Sequence, residues 1–113
     1  MDRKTKGIVG EGIAKRHYEN QGCEILESNY RYKRAEIDLI ALKDEQILIF
    51  VEVKKRSRAD FGEAETFVSE AQQDRIKEAA EDYIYGINWQ KNVRFDIVCI
   101  DAENKIEVFE DAF

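Results

Sequence analysis

The chain has 113 residues, of which 37% are charged, and a formal net charge of −6. This length suffices for one domain with its own hydrophobic core, so we expect a single domain over residues 1–113 that needs no disulfide or structural metal. The negative charge excludes a general nucleic-acid coat, because such proteins take most of their affinity from neutralising phosphates.

The sequence predicts a protein of the cytoplasm that does not bind membranes. No segment approaches membrane-spanning length, and the basic N-terminal residues are not followed by an apolar stretch. Cys23 and Cys99 lie far apart within apolar runs, where we expect small buried side chains in a reducing compartment.

In chain order, the first half predicts a helix and three strands. The helix runs from about residue 7 to residue 20 and ends before Gly22, as helices commonly do at glycine. One stripe of this helix consists of Gly7, Glu11, Ala14 and Tyr18. Residues 57–67 lack a clear period and are expected to form a loop. The three strands before that loop are 23–31, 35–43 and 47–55.

The second half predicts a helix and two more strands, 93–100 and 105–109. Ser69 opens the helix with Gln72 three residues later, as in a capping box, and Gly86 lies where the helix should stop. The resulting order, α-β-β-β-α-β-β, predicts an α/β sandwich in which helices flank a central mixed sheet.

The second and third strands carry the pattern with the clearest chemical meaning. Side chains alternate between strand faces, so Glu36 and Asp38 share a face on one strand, as Glu52 and Lys54 do on the other. An antiparallel register that sets Asp38 opposite Glu52 also sets Glu36 opposite Lys54 and leaves a three-residue turn at 44–46. The same register pairs apolar residues elsewhere in the hairpin: Ile40–Phe50, Leu42–Leu48, Ile37–Val53, Leu39–Val51 and Ala41–Ile49.

Two carboxylates directly across a strand pair destabilise a sheet by up to about 1 kcal/mol unless a cation lies between them. We therefore predict that Asp38 and Glu52 bind a metal ion, with Mg²⁺ or Mn²⁺ as the cofactor because these ions prefer oxygen ligands. Such an ion activates water for phosphodiester hydrolysis, and Lys54 would place its ammonium in the same site as a catalytic residue. A lattice of ion pairs from Lys54 to Glu36 and Glu52 is the alternative.

Glu11 and Gln72 are further candidate catalytic residues, each with a plainer explanation. Glu11 lies on the otherwise apolar stripe of the first helix, where a buried carboxylate needs a partner; its head could instead reach solvent. Gln72 lies one turn before Ile76 on the buried stripe of the second helix and could reach the site, although the capping box also explains it.

Basic residues cluster at the hairpin end that carries the acidic pair, as a site that cuts phosphodiesters needs. Solvated strand ends are the plainer explanation. Residues 1–59 carry a charge of +3 and residues 60–113 a charge of −9, so the acidic half could present a surface to a basic protein partner. The candidate nucleic-acid-binding residues are Arg31, Lys33, Lys55, Arg56 and Arg58.

These residues resemble a known family. Glu-Ile-Asp-Leu-Ile at 36–40, Phe-Val-Glu-Val-Lys-Lys-Arg at 50–56, and Gly10-Glu11 followed by Ala14 are similar to the YraN family of small bacterial proteins. That family is related to archaeal Holliday junction resolvases within the PD-(D/E)XK nuclease superfamily. The likeness covers nearly the whole chain, including segments 29–31, 60–62 and 94–96 and the helix at Ser69.

The resemblance implies a restriction-endonuclease-like fold, metal ligation by Asp38 and Glu52, a catalytic Lys54 and a role for Glu11. The chain departs from many members at Ala35, where they have glycine, and at Gln72, where they have lysine. The second departure removes one positive charge near the scissile phosphate.

The function expected from residues and resemblance together is that of a metal-dependent endonuclease acting on nucleic acid, with branched or structured DNA as the first candidate. A homodimer, as in junction resolvases, is a further expectation from the resemblance. The alternatives are a nucleic-acid-binding module that keeps the fold without cutting, and a protein-interaction domain.

Overall fold

The backbone follows the predicted order of helices and strands. A computed structural model describes residues 3–55 and 68–113, with side chains described from residue 10 onward. The predicted loop at 57–67 and the candidate residues Arg56 and Arg58 lie outside the described residues. The elements are α1 (Arg3–Asn20), β1 (Cys23–Tyr32), β2 (Ala35–Lys43), β3 (Ile47–Lys55), α2 (Glu70–Ile87), β4 (Asn92–Ile100) and β5 (Ile106–Phe109).

The five strands form one mixed sheet in the order β1-β2-β3-β4-β5. All neighbouring strands are antiparallel except β3 and β4, which are parallel. A parallel pair cannot be joined by a tight turn, and α2 lies within the connection between these two strands. The predicted α/β sandwich with a mixed sheet is therefore confirmed.

The two helices cover opposite faces of the sheet because the apolar residues of its central strands point alternately to either side. Along β3, Leu48 and Phe50 pack in the core beside α2, whereas Ile49 and Val51 pack in the core beside α1. Both cysteines are buried thiols within these cores. No helix in the described ranges is both long and apolar enough to cross a membrane.

Most of the predicted hairpin register is confirmed, and one end of it is wrong. The pairs Leu39–Val51, Ile40–Phe50, Ala41–Ile49 and Leu42–Leu48 form as expected, around a turn at 44–46. The paired ladder ends at Leu39–Val51, so the expected cross-strand pairs Asp38–Glu52, Ile37–Val53 and Glu36–Lys54 are not part of it. The predicted acidic pair therefore lies beyond the last regular pair of the hairpin.

Two helix ends test the predictions made from glycine. Gly22 follows α1 with φ +83, a left-handed conformation that favours glycine, as predicted. Gly86 does not end α2: the helix continues to Ile87, and Asn88 takes the left-handed cap position with φ 56. Asparagine tolerates this conformation better than most side chains, so it replaces the expected glycine. The N-terminal end of α1 also differs from the prediction, because the helix begins at Arg3 and not near residue 7.

A fully buried carboxylate, Asp96 on β4, connects α1 to the sheet. The Tyr18 hydroxyl donates a hydrogen bond of 2.8 Å to Asp96 Oδ2, and burial raises the pKa of Tyr18. The Arg94 guanidinium donates to both Asp96 oxygens at 2.9 and 3.0 Å, and the backbone N–H of Asp111 donates at 3.1 Å. A buried charge is tolerated when it is paired and hydrogen-bonded in this way.

We predict that Tyr18→Phe lowers the free energy of unfolding by about 1–3 kcal/mol, because Asp96 loses a donor in a place where water cannot replace it. Urea denaturation measures the change. Tyr85→Phe is the matched control, since Tyr85 is 88% exposed. Equal stability of the two variants would contradict the structural role of this hydrogen bond.

Candidate functional site

An open pocket of about 280 Å³ lies where β2 and β3 separate and where α2 approaches them. Asp38 and Glu52, the predicted metal ligands, both line it. The pocket is rich in carboxylates and guanidinium groups, and the full lining is Arg34, Ala35, Glu36, Asp38, Glu52, Gln72, Arg75 and Ile76.

Asp38 explains why the hairpin ladder stops. Its Oδ2 accepts a hydrogen bond of 2.7 Å from the backbone N–H of Val53, so a side chain takes the place of the next cross-strand partner. The regular alternation of β2 also breaks here, since Ile37 packs in the core beside α2 and Leu39 in the core beside α1. The Asp38 carboxylate is therefore held by the backbone of β3 at the mouth of the separated strands.

Glu52 is buried, at 8% exposure. Only one of its two carboxylate oxygens has a partner among the described residues. Its Oε1 accepts a hydrogen bond of 3.3 Å from Gln72 Nε2 and lies 3.5 Å from the Lys54 ammonium. Its Oε2 is buried without a hydrogen-bond partner among the described residues. Such an oxygen is costly to leave unmatched, and a bound water, a proton or a cation would remove that cost.

The side chain of Gln72 reaches the site while its backbone caps α2. Its N–H donates to the Ser69 hydroxyl at 3.1 Å, as the predicted cap requires. The side chain does not turn back in a capping box; it donates to Glu52 and accepts from Lys54 Nζ at 3.3 Å. Gln72 therefore has both expected roles: its backbone N–H takes part in the helix cap, and its side-chain amide contacts the site.

Glu11 points toward Asp38, as expected from its place on the stripe of α1. Carboxylate oxygens of Glu11, Glu36 and Asp38 lie within 4.8 Å of one another. Glu36 was not predicted as a ligand, because the register assigned it to Lys54; it forms an ion pair of 3.3 Å with Arg31 instead. Its shared face with Asp38 was the signal for a role in the acidic cluster.

Some of the predicted nucleic-acid-binding residues already form ion pairs with carboxylates of this chain. Arg31 pairs with Glu36, and Lys33 pairs with Glu78 at 3.2 Å, whereas Lys55 is exposed at the end of β3. Arg75, which lines the pocket, was missed. Its position three residues after Gln72, on the same side of α2, was the available signal.

The local electrostatics favour extra protons or a cation. Burial raises the pKa of Asp38 to about 6; Glu11 and Glu36 add to the rise, and the Val53 N–H and Lys54 oppose it. Burial, followed by repulsion from Asp38, raises the pKa of Glu52 to about 8, and Lys54 opposes the rise. Near neutral pH the site therefore retains protons that free carboxyl groups would release.

Fold and site together define a small α/β protein with an acidic pocket at the end of a mixed sheet. The profile of uncharacterised protein family UPF0102 matches residues 10–100, and the chain belongs to this family. A UPF0102 protein of Cytophaga hutchinsonii is 44% identical over 103 residues, covering 91% of this chain and 90% of the relative. One from Flavobacterium psychrophilum is 41% identical over 110 residues, covering 95% of this chain and 92% of the relative.

We predict that the metal-free protein loses stability as pH rises from about 5 to 8. Both raised pKa values mean that the folded state holds protons which the unfolded chain has released, so the free energy of unfolding falls with pH. Glu52→Gln removes the larger shift, and its stability relative to the parent should grow by on the order of 2 kcal/mol over this range.

Urea denaturation in EDTA at several pH values measures this difference. Glu24→Gln on β1, where the side chain is exposed, is the matched control and should follow the parent at every pH. Parallel curves for the parent and Glu52→Gln would contradict the raised pKa of Glu52.

Proposed function

We propose that this protein is a divalent-metal-dependent nuclease that hydrolyses phosphodiester bonds, with branched or structured DNA as its substrate. The observation that carries the proposal is the buried Oε2 of Glu52, which has no hydrogen-bond partner within residues 3–55 and 68–113, in a pocket shared with Asp38. A protein that only needed a stable sheet would gain from an apolar residue at this position, because the unmatched oxygen is destabilising.

The donor set fits a hard cation such as Mg²⁺ or Mn²⁺, because the ligands that the pocket offers are oxygens, most of them from carboxylates. Asp38 and Glu52 would hold the ion, with Glu11 and Glu36 near enough to Asp38 to contribute directly or through water. A bound ion would supply charge neutralisation at the phosphate and lower the pKa of the attacking water.

The other residues of the site have positioning and electrostatic roles in this proposal. Gln72 holds Glu52 Oε1 and the Lys54 ammonium in one arrangement through its two amide atoms. Lys54 can direct its charge toward the phosphate, where negative charge grows in the transition state. DNA as the substrate and a homodimer follow from the resemblance to junction resolvases, and a cytoplasmic location follows from the sequence pattern; all three remain part of the proposal.

A nucleic-acid-binding module without catalysis is the second candidate. The pKa of Glu52, raised to about 8, is the observation that favours it, because a proton could then satisfy the site in place of a metal ion. The two candidates differ in their response to divalent metal, which only the nuclease should bind.

We predict that Mg²⁺ or Mn²⁺ raises the melting temperature of the parent and that Asp38→Asn abolishes the rise. Binding to the folded state alone contributes about 2.7 kcal/mol at a hundredfold excess over Kd. Without metal, Asp38→Asn should be no less stable than the parent, since it also removes like-charge repulsion. Thermal melts measure both effects, with the exposed Asp74→Asn as control. Melts that do not move with metal in any of these proteins would favour the second candidate.

Lys54→Ala and Lys55→Ala should separate catalysis from binding. Loss of the Lys54 ammonium should lower turnover by roughly 10²–10³ while changing DNA affinity little, because its charge acts on the transition state. Loss of the exposed Lys55 should weaken binding and reduce the salt dependence by about one unit of slope.

Cleavage and gel-shift assays on linear, flapped and four-way DNA with Mn²⁺ test this pair. If the parent neither cleaves nor binds any of these DNAs at low salt, and does the same with RNA, both candidate functions are contradicted.

A further inference from the structure

A second pocket adjoins the acidic one. It has a volume of about 220 Å³ and lies between the β1–β2 turn and α2. Arg34, Ala35 and Arg75 line both pockets and therefore form the boundary between them. The remaining residues that line the second pocket are Tyr32, Lys33 and Glu78.

The two arginines at this boundary differ from the neighbouring bases in having no ion-pair partner in the described part of the chain. Arg31 is paired with Glu36, and Lys33 is held by Glu78 and lies 5.3 Å from the centre of the Tyr32 ring. Arg34 and Arg75 are exposed and form no ion pair within residues 3–55 and 68–113. Their guanidinium groups are therefore available to an incoming anion.

We propose that Arg34 and Arg75 clamp the phosphate next to the one that is cleaved, and that the second pocket receives the nucleoside attached to it. This inference rests on the proposed nuclease function and names how that site holds its substrate strand. A guanidinium fork matches the geometry of phosphate oxygens, and two forks from different elements can approach one phosphate from two sides.

Electrostatics gives the clamp a specific task. The acidic pocket brings together carboxylates that repel any phosphate, so the strand needs compensating cations at the rim of that pocket. Arg34 and Arg75 are placed there. Beyond them, the half-buried Tyr32 lines the second pocket and gives it an apolar side that suits the edge of a sugar or base, which is a sequence-tolerant mode of binding.

Binding measured in EDTA tests the clamp without turnover, using fluorescein-labelled linear duplex and four-way DNA as probes. Arg34→Ala and Arg75→Ala should each weaken binding about tenfold and lower the salt slope by roughly 0.7–0.9. Arg34→Lys and Arg75→Lys keep the charge and should retain the slope. Arg16→Ala is the matched control, since Arg16 is an exposed arginine of α1 that lines neither pocket.

A neutral phosphate analogue makes the test specific to one contact. Replacing the phosphate next to the cleaved bond by a methylphosphonate should slow cleavage by the parent about tenfold through weaker substrate binding. In Arg34→Ala and Arg75→Ala this penalty should disappear, because the contact is already lost. Arg16→Ala should show the full penalty.

The outcomes separate the clamp from the nuclease function. If both arginine variants cleave DNA and the methylphosphonate still slows them as much as the parent, the clamp is wrong. The proposed nuclease function is then unaffected. If the parent binds DNA without cutting it and the arginine variants bind more weakly, the two arginines bind a phosphate, but the nuclease and the position next to a cleaved bond are both rejected. A parent that binds no DNA in EDTA and neither binds nor cuts DNA with Mn²⁺ overturns both.

Discussion

The hydrogen bond from Tyr18 to the fully buried Asp96 connects α1 to the sheet, and α1 carries Glu11, whose carboxylate lies beside Asp38. Asp96 takes donors from Tyr18, Arg94 and the Asp111 backbone, which connects α1, β4 and the C-terminal segment at one point. Glu11 lies two turns before Tyr18 on the same stripe of α1. The direction in which Glu11 points is thus set by a contact on β4 and not by the pocket itself.

The site brings together side chains from both faces of one sheet. Glu11 belongs to the helix on one face, and Gln72 to the helix on the other. A closed hairpin would separate them, but β2 and β3 part where Asp38 accepts from the Val53 N–H. The same local irregularity that ends the ladder therefore lets Glu11 of α1 approach Asp38 and lets Gln72 of α2 contact Glu52.

The bounds of β2 and β3, 35–43 and 47–55, were predictable because alternating apolar residues and a short polar turn leave one good register. The end of the ladder was not predictable. It depends on a hydrogen bond from the Val53 N–H to the Asp38 side chain, and hydrophobic periodicity gives no information about such a bond. Glu36 and Arg75 were likewise missed because their places in the site depend on how separate elements pack: Glu36 meets Glu11 of α1, and Arg75 of α2 reaches the pocket between β2 and β3. Asn88 in place of Gly86 shows that a left-handed cap can be taken by either residue type.

The crossover between β3 and β4 has a consequence for how the chain folds. The β1–β2–β3 meander is built from contacts close in sequence, whereas α2 arrives with residues 56–91 between the parallel strands, so the meander should form first. Until α2 docks, Glu52 faces water and is charged like any free carboxylate. Once α2 has docked, Gln72 donates to Glu52, which is then buried. We therefore expect uptake of a proton or cation to accompany this late step, and refolding rates measured across pH would report it.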